Sequence, residues 1–356
     1  MINDRKRRIF AGAGHQQHGA GAGRHGGLFR RFVGDGDWEL LATGLPGNVE
    51  ARAFAVHPHD HDVIYAGTQD GLYRTTDGGD HWQRVGFPDR GAVVWSIAFD
   101  PTNPKIMYAG VAPIGIYRSE DGGDTWNKLA GARSPGHCEM GFPARVTRIA
   151  IDPARPDHIY AALEVSGVIR SVDGGETWTD VSAPLITLAG LPHLKSRIGS
   201  EIDAEGMLDS HAITVSGASP GTVFLAVRMG LFRSDDRGAS WHDMTIGRFS
   251  PLTYCRDVMV SPQDARVMYA CLSPAARSND GSLYRSEDAG QTWQRFDHGI
   301  KANATMMAVT AHPADPARVY CVSRCGQVFG TEDAGASWQE YRLPKGVQDV
   351  YAVACA

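Results

Sequence analysis

Short runs in which apolar and polar residues alternate recur along this chain, and the same grammar follows each of them. One copy reads VWSIAF at residues 94–99, then a Pro turn DPTNPK, a second run IMYAG, a variable loop and a third run GIYRS. A polar, glycine-rich stretch ending in tryptophan comes next, followed by a short fourth run. Period-two alternation over a few residues, bounded by Gly, Pro and Asp turns, predicts antiparallel strands. Four such strands per repeat predict a propeller blade.

The polar stretch is the sharpest part of the repeat. It reads TTDGGDHW at 75–82, SEDGGDTW at 119–126, SVDGGETW at 171–178, SDDRGASW at 234–241, SEDAGQTW at 286–293 and TEDAGASW at 331–338. A worn copy, GLFRRFVGDGDW at 27–38, keeps the spacing and loses the Ser/Thr and Asp. Physically it is a hairpin between third and fourth strands. The Asp can accept N–H groups of its own turn, glycine supplies positive φ, and Trp covers apolar surface while its indole N–H finds a partner. It lacks the alternating oxygen ligands of an EF-hand loop, so calcium is not expected there.

Seven tryptophans, at 38, 82, 126, 178, 241, 293 and 338, mark seven repeats. IFAG at 9–12 matches the second-strand run IYAG at 64–67, so the first blade lacks a first strand. DVYAVACA at 349–356 resembles a first strand with no repeat behind it. The expectation is an all-β, seven-bladed propeller over residues 1–356, a single domain closed by the C-terminal strand joining the N-terminal blade.

On these six motifs the chain resembles the BNR, or Asp-box, repeat proteins. That signature is shared by sialidases, xyloglucan-degrading glycosidases, the sortilin ectodomain and a photosystem II assembly factor, so it speaks to fold and hardly to activity. Sialidases use an F/Y-R-I-P motif, three arginines on a carboxylate and a Tyr–Glu nucleophile pair on six blades. FPAR at 142–145 does not replace that motif, and the repeat count here is seven. The large xyloglucan-degrading enzymes place a cleft between two propellers, and this chain has length for one.

Composition narrows the partners. With 35 Lys plus Arg against 40 acids the net charge is −5, and RKRR at 5–8 is the one basic cluster, which argues against nucleic acid. No run approaches the length of a bilayer span and no apolar stretch follows the charged N-terminus, so no membrane contact is expected. Cysteines at 138, 255, 271, 321, 325 and 355 form no CxxC pair and are expected to be reduced, mostly buried thiols of a cytoplasmic protein.

Strand order puts first-to-second turns and the Trp hairpins at one end, and second-to-third loops and blade connections at the other. Successive Trp spacings of 44, 44, 52, 63, 52 and 45 place the excess length mainly at the second end, where binding loops are expected. Aligned first strands put Arg52, Trp95, Thr147, His211, Arg256, Met307 and Tyr351 at one position. Two residues earlier stand Glu50, Val93, Arg145, Asp209, Tyr254, Thr305 and Asp349. Both sets are expected to ring the channel mouth. They differ from blade to blade, as an asymmetric ligand requires and as an unselected channel would also show.

Arg52, Arg145, Arg228, Arg256 and Arg324 could grip a carboxylate or phosphate, or form ordinary surface ion pairs. Trp95 and Tyr351 could stack on a ring. Glu164, Asp209 and Glu139 are candidate acids or bases, with His211 and Tyr254 beside them. His15 and His18 have HxxH spacing and, with His137 or His211, could hold a divalent transition metal. The turn HPHDHD at 57–62 also looks metal-like but lies at the opposite end. Three functions stay open: a hydrolase or lyase acting on a small polar or sugar-like, anionic substrate at this face; a scaffold gripping a protein or peptide; and a His-ligated metal enzyme.

Overall fold

The computed structural model describes residues 7–14 and 26–356. Seven four-stranded antiparallel sheets form the blades of an all-β propeller. The blade at 51–84 is typical. Its inner strand Ala51–Val56 is followed by Ile64–Thr68, Gly71–Thr75 and the two-residue outer strand Gln83–Arg84. The inner strands Ala51–Val56, Val93–Phe99, Val146–Asp152, Ser210–Val215, Tyr254–Val260, Met306–Ala311 and Val350–Cys355 neighbour one another in turn around the axis.

No sheet closes on itself; each is an open ribbon. In the first blade the strand order runs Val350–Cys355, Arg8–Ala13, Gly27–Phe32, Asp35–Leu40. The chain's last strand thus pairs antiparallel with its first, Ile9 opposite Cys355 and Ala13 opposite Val350.

The core lies between blades rather than within one central mass. Tyr160, Val168, Met207, Ile213, Leu225 and Phe232, all fully or almost fully buried, form one such interface. Burying each side chain of this size contributes about 1.5–3 kcal/mol. A blade is therefore held chiefly by its two neighbours. Five of the six cysteines are buried and none is in a disulfide.

In all six repeated hairpins the Ser/Thr hydroxyl donates to the Asp carboxylate and accepts the N–H of the second glycine position, as in Ser119, Asp121 and Gly123 at 2.8 and 2.8 Å. The Asp accepts a further N–H four residues on, from Thr125 at 2.9 Å. The tryptophan indoles divide into two groups. Those of Trp82, Trp126, Trp178 and Trp293 donate to a glycine carbonyl of their own turn. Those of Trp38, Trp241 and Trp338 donate instead to the preceding blade, at Tyr341, Val181 and Phe296.

Backbone bonds tie these hairpins to the first-to-second turns, Gly78 N–H to Asp62 and Gly122 N–H to Lys105, so both sit at one end. At the other end second-to-third loops bond the starts of inner strands: Glu164 N–H to Arg145, Arg228 N–H to Asp209 and Arg324 N–H to Thr305. The longest connection, residues 183–210, is not plain loop. It contains two short helices, Ala183–Leu188 and Glu205–Leu208. Its organiser is the Glu205 carboxylate, which is wholly buried and accepts N–H groups from Ile198, Gly199 and Ser200 plus the Ser200 hydroxyl. Burial works against that charge, but these donors outweigh it and hold Glu205 below the usual carboxylate range.

Candidate functional site

Every inner strand carries a β-bulge at the same height, near the variable end. Against the second strand the register jumps between Ala51 and Ala53, Val94 and Ser96, Val146 and Arg148, and Ser210 and Ala212. It jumps again between Cys255 and Asp257, Met306 and Ala308, and opposite Val350 and Ala352. The residue skipped in each blade is Arg52, Trp95, Thr147, His211, Arg256, Met307 or Tyr351. A bulge inserts one unpaired residue and re-aims its side chain. Here seven of them aim at the axis, and all seven side chains line one axial cavity of about 90 Å³. Ser96, Arg148 and Asp257 line it one position deeper.

Four of the five mouth arginines are already engaged by carboxylates of the chain. Arg52 pairs with Glu50 and Arg145 with Glu164, both in close contact. Arg228 Nε lies 3.1 Å from Asp209, and Arg324 Nε 2.8 Å from Asp349. Trp95 carries two guanidinium groups against its ring, Arg145 at 3.7 Å and Arg52 at 4.7 Å from the centroid, and packs in a T-shaped contact with Tyr351 at 5.5 Å. That arrangement gives the Trp95 ring cation–π partners within the chain itself. Arg256 differs. Among the described residues it has no ion pair and no hydrogen bond, and it reaches the cavity.

His211 is buried, with Nδ1 donating to the Cys255 carbonyl at 2.7 Å. Its Nε2 lies 3.3 Å from both the Tyr254 hydroxyl and Asp209 Oδ2. With Nδ1 carrying the proton, neutral Nε2 accepts from Tyr254; protonated, it donates to Asp209. Burial lowers the proton affinity of His211 and Asp209 opposes it. Burial also works against the Asp209 charge, yet His211 and Arg228 hold its carboxyl well below the usual range. Glu164 goes the other way: burial pushes its carboxyl up, and Arg145 offsets this only in part. Asp209 adds to the rise, and Arg256 acts on both acids.

Other candidates lie apart from this cluster. Glu139 is exposed. His137 meets the Asp180 carboxylate at 2.7 Å. His15 and His18 fall outside the described residues. In the HPHDHD turn, His57 Nδ1 accepts the N–H groups of His59 and Asp60, which makes it a turn cap. No group of three metal-ligating side chains occurs among the described residues.

Two features escape the sequence reading. The Arg148–Asp257 pair, 2.8 Å apart, crosses the channel below the bulges. Its signal was present, because the five equivalent residues are small: Ala53, Ser96, Ala212, Ala308 and Ala352. A second pocket of about 530 Å³ opens on the variable face beside Tyr254 and Arg228, floored by Leu194, Met229 and Ile246 and rimmed by His193, Asp243 and Arg248. It is assembled from three separate loops, which no single stretch of sequence announces.

Comparison with known proteins fits this architecture. The Sortilin-Vps10 family description (sortilin, neurotensin receptor 3) matches residues 281–354. The xyloglucanase Xgh74A of Acetivibrio thermocellus is 35% identical over 276 residues, covering 72% of this chain and 26% of that protein. The chain spans less than a third of the length of the curated xyloglucanases it matches. Among solved structures, the GH74 xyloglucanase of Xanthomonas campestris superposes with a TM-score of 0.63 at 19% identity, covering 85% of this chain and 46% of that one. YCF48 bound to D1 peptide gives 0.53 at 12% identity, covering 86% of each chain. These two likenesses establish the propeller fold.

Proposed function

We propose that this chain is a cytoplasmic Asp-box propeller of hydrolase type that acts on a sugar-like substrate at its variable face, with Glu164 as proton donor and Asp209 as base. In this reading the six hairpins are Asp-box turns and the Val350–Cys355 strand closes the ring. The observation that carries the activity is a pair of largely buried carboxylates, Glu164 against Arg145 and Asp209 against His211 and Arg228, whose surroundings push their proton affinities apart. Such a split assigns acid and base in enzymes that cleave glycosidic bonds. Burial raises the proton affinity of Glu164, which delivers a proton to the leaving-group oxygen as the glycosidic C–O bond breaks. Asp209, whose proton affinity is lowered by His211 and Arg228, takes a proton from the water that attacks the anomeric carbon, with those two side chains holding its carboxylate. The 530 Å³ pocket lies within the size range of small-ligand sites and offers an apolar floor for a sugar ring. Sequence similarity to xyloglucanases supports the substrate class.

The test is hydrolysis of xyloglucan and other soluble glucans, read as reducing ends released. Glu164→Gln and Asp209→Asn are each expected to lower kcat by about 10²–10⁴, with Tm tracked alongside. Full turnover in both variants, or no turnover of any glucan by the parent protein, would sink the assignment. A second reading, a scaffold gripping a peptide or protein, is favoured by exposed apolar side chains on two neighbouring variable loops, Phe142 and Ile186, Leu191, Ile198 and Ile202. It gains if partner capture from lysate is lost on replacing those five residues by Ser while glucan hydrolysis is absent.

A further inference from the structure

We infer that the mouth of the axial channel binds one small oxyanion or carboxylate group on Arg256, with Arg52 lining the same cavity. Two arginines at the height of the bulges, Arg52 and Arg256, line that cavity. Arg52 is ion-paired with Glu50. The Nε–H group of Arg52 is buried, with no acceptor among the described residues. Arg256 has no hydrogen-bonded or ion-paired partner at all among the described residues, although it projects into the cavity. Deeper in the channel Arg148 is balanced by Asp257, whose other oxygen accepts the Val309 N–H. Of the three arginines that line the cavity, Arg52 and Arg148 are ion-paired, and Arg256 is the one without a paired carboxylate among the described residues.

Its volume decides the size of the ligand. A cavity of about 90 Å³ accommodates a few waters or one tetrahedral or planar oxyanion, and is too small to enclose a sugar ring. A guanidinium presents the fork that such groups accept. The ligand is either a free ion or the acidic group of a larger molecule whose body stays outside the mouth. The inference does not depend on glycoside hydrolysis.

Titration calorimetry at constant ionic strength tests it, using inorganic phosphate, glucuronate and, as the neutral control, glucose. Saturable binding of phosphate or glucuronate but not glucose is expected. Binding should weaken at least tenfold in Arg256→Gln and remain unchanged in Arg266→Gln, whose side chain lies on the opposite-end turn. Phosphate alone would identify a free-ion site; glucuronate binding more tightly than phosphate would identify an acidic saccharide. Anomalous diffraction from selenate-soaked crystals of the parent protein gives a readout that needs no variant. An axial peak beside Arg256 supports the site. Equal affinity in parent and Arg256→Gln, no binding of either anion, or selenate density only elsewhere would overturn it.

Discussion

At the level of single residues, His211 shows how a buried ring can be read from its partners. The Cys255 carbonyl requires a proton on Nδ1, so Nε2 is the titrating atom, facing Tyr254 and Asp209 with Arg256 nearby. Its folded proton affinity lies below the unfolded reference of 6.5. The unfolded chain therefore binds more protons just below that pH, and the stability contributed by neutral His211 is present above about 6.5 and lost as pH falls through the window beneath it. Thermal unfolding followed by circular dichroism should show Tm falling between about pH 6.5 and 5, with a shallower fall in His211→Gln. Asp209→Ala removes the partner of Arg228 and His211 together and is expected to cost about 2–4 kcal/mol in denaturant titration. The positions of these residues were legible in the sequence, since aligning first strands gave the same seven residues that the bulges single out. The bulges themselves were not, because a register slip belongs to two strands and neither strand alone records it. Nor could the sequence say that Arg145, Arg228 and Arg324 are paired with Glu164, Asp209 and Asp349, as these partners come from different segments of the chain, whereas Glu50 stands just two residues before Arg52.

Among the elements, the repeated hairpin is the one whose chemistry shows most directly in its letters. Ser119, Asp121 and Thr125 exchange hydrogen bonds within eight residues of chain, so spacing alone carries the contact. The Thr125 hydroxyl and N–H hold the Asp121 carboxyl down at about 2. For a depressed carboxyl the contribution is present above the unfolded value, 3.8, and is lost as pH falls towards the folded one. Acid unfolding of Asp121→Asn should accordingly show a shallower slope between about pH 4 and 2, from a lower plateau. The connection 183–210 is the opposite case. Its two helices are too short to leave a periodic signal, and their fold depends on one carboxylate gathering three N–H groups. Glu205→Ala leaves those donors without an acceptor and is expected to cost about 2–3 kcal/mol. Hydrogen exchange at Ile198, Gly199 and Ser200 should accelerate ahead of that in the blades.

For the molecule as a whole, stability resides in the seams. Blade count was legible because each Trp hairpin marks one sheet, whereas the cross-blade bonds of Trp38, Trp241 and Trp338 depend on how neighbouring sheets tilt. Removing residues 350–356 strips the first blade of its inner strand and exposes Val350, Val353 and Cys355 contacts in the adjoining interface. That truncation should lower Tm by many degrees and abolish exchange protection in Arg8–Ala13 before the blade at 146–180. The seven skipped residues carry a consequence for how such a molecule can change. Because each stands outside the ladder pairing of its own sheet, its identity can drift without re-registering a strand. Substitutions at these seven positions, one per blade, would redecorate the pore entrance while the scaffold beneath stays as it is. Variation among descendants of this sequence should accordingly gather at Arg52, Trp95, Thr147, His211, Arg256, Met307 and Tyr351, and spare the small residues just after them.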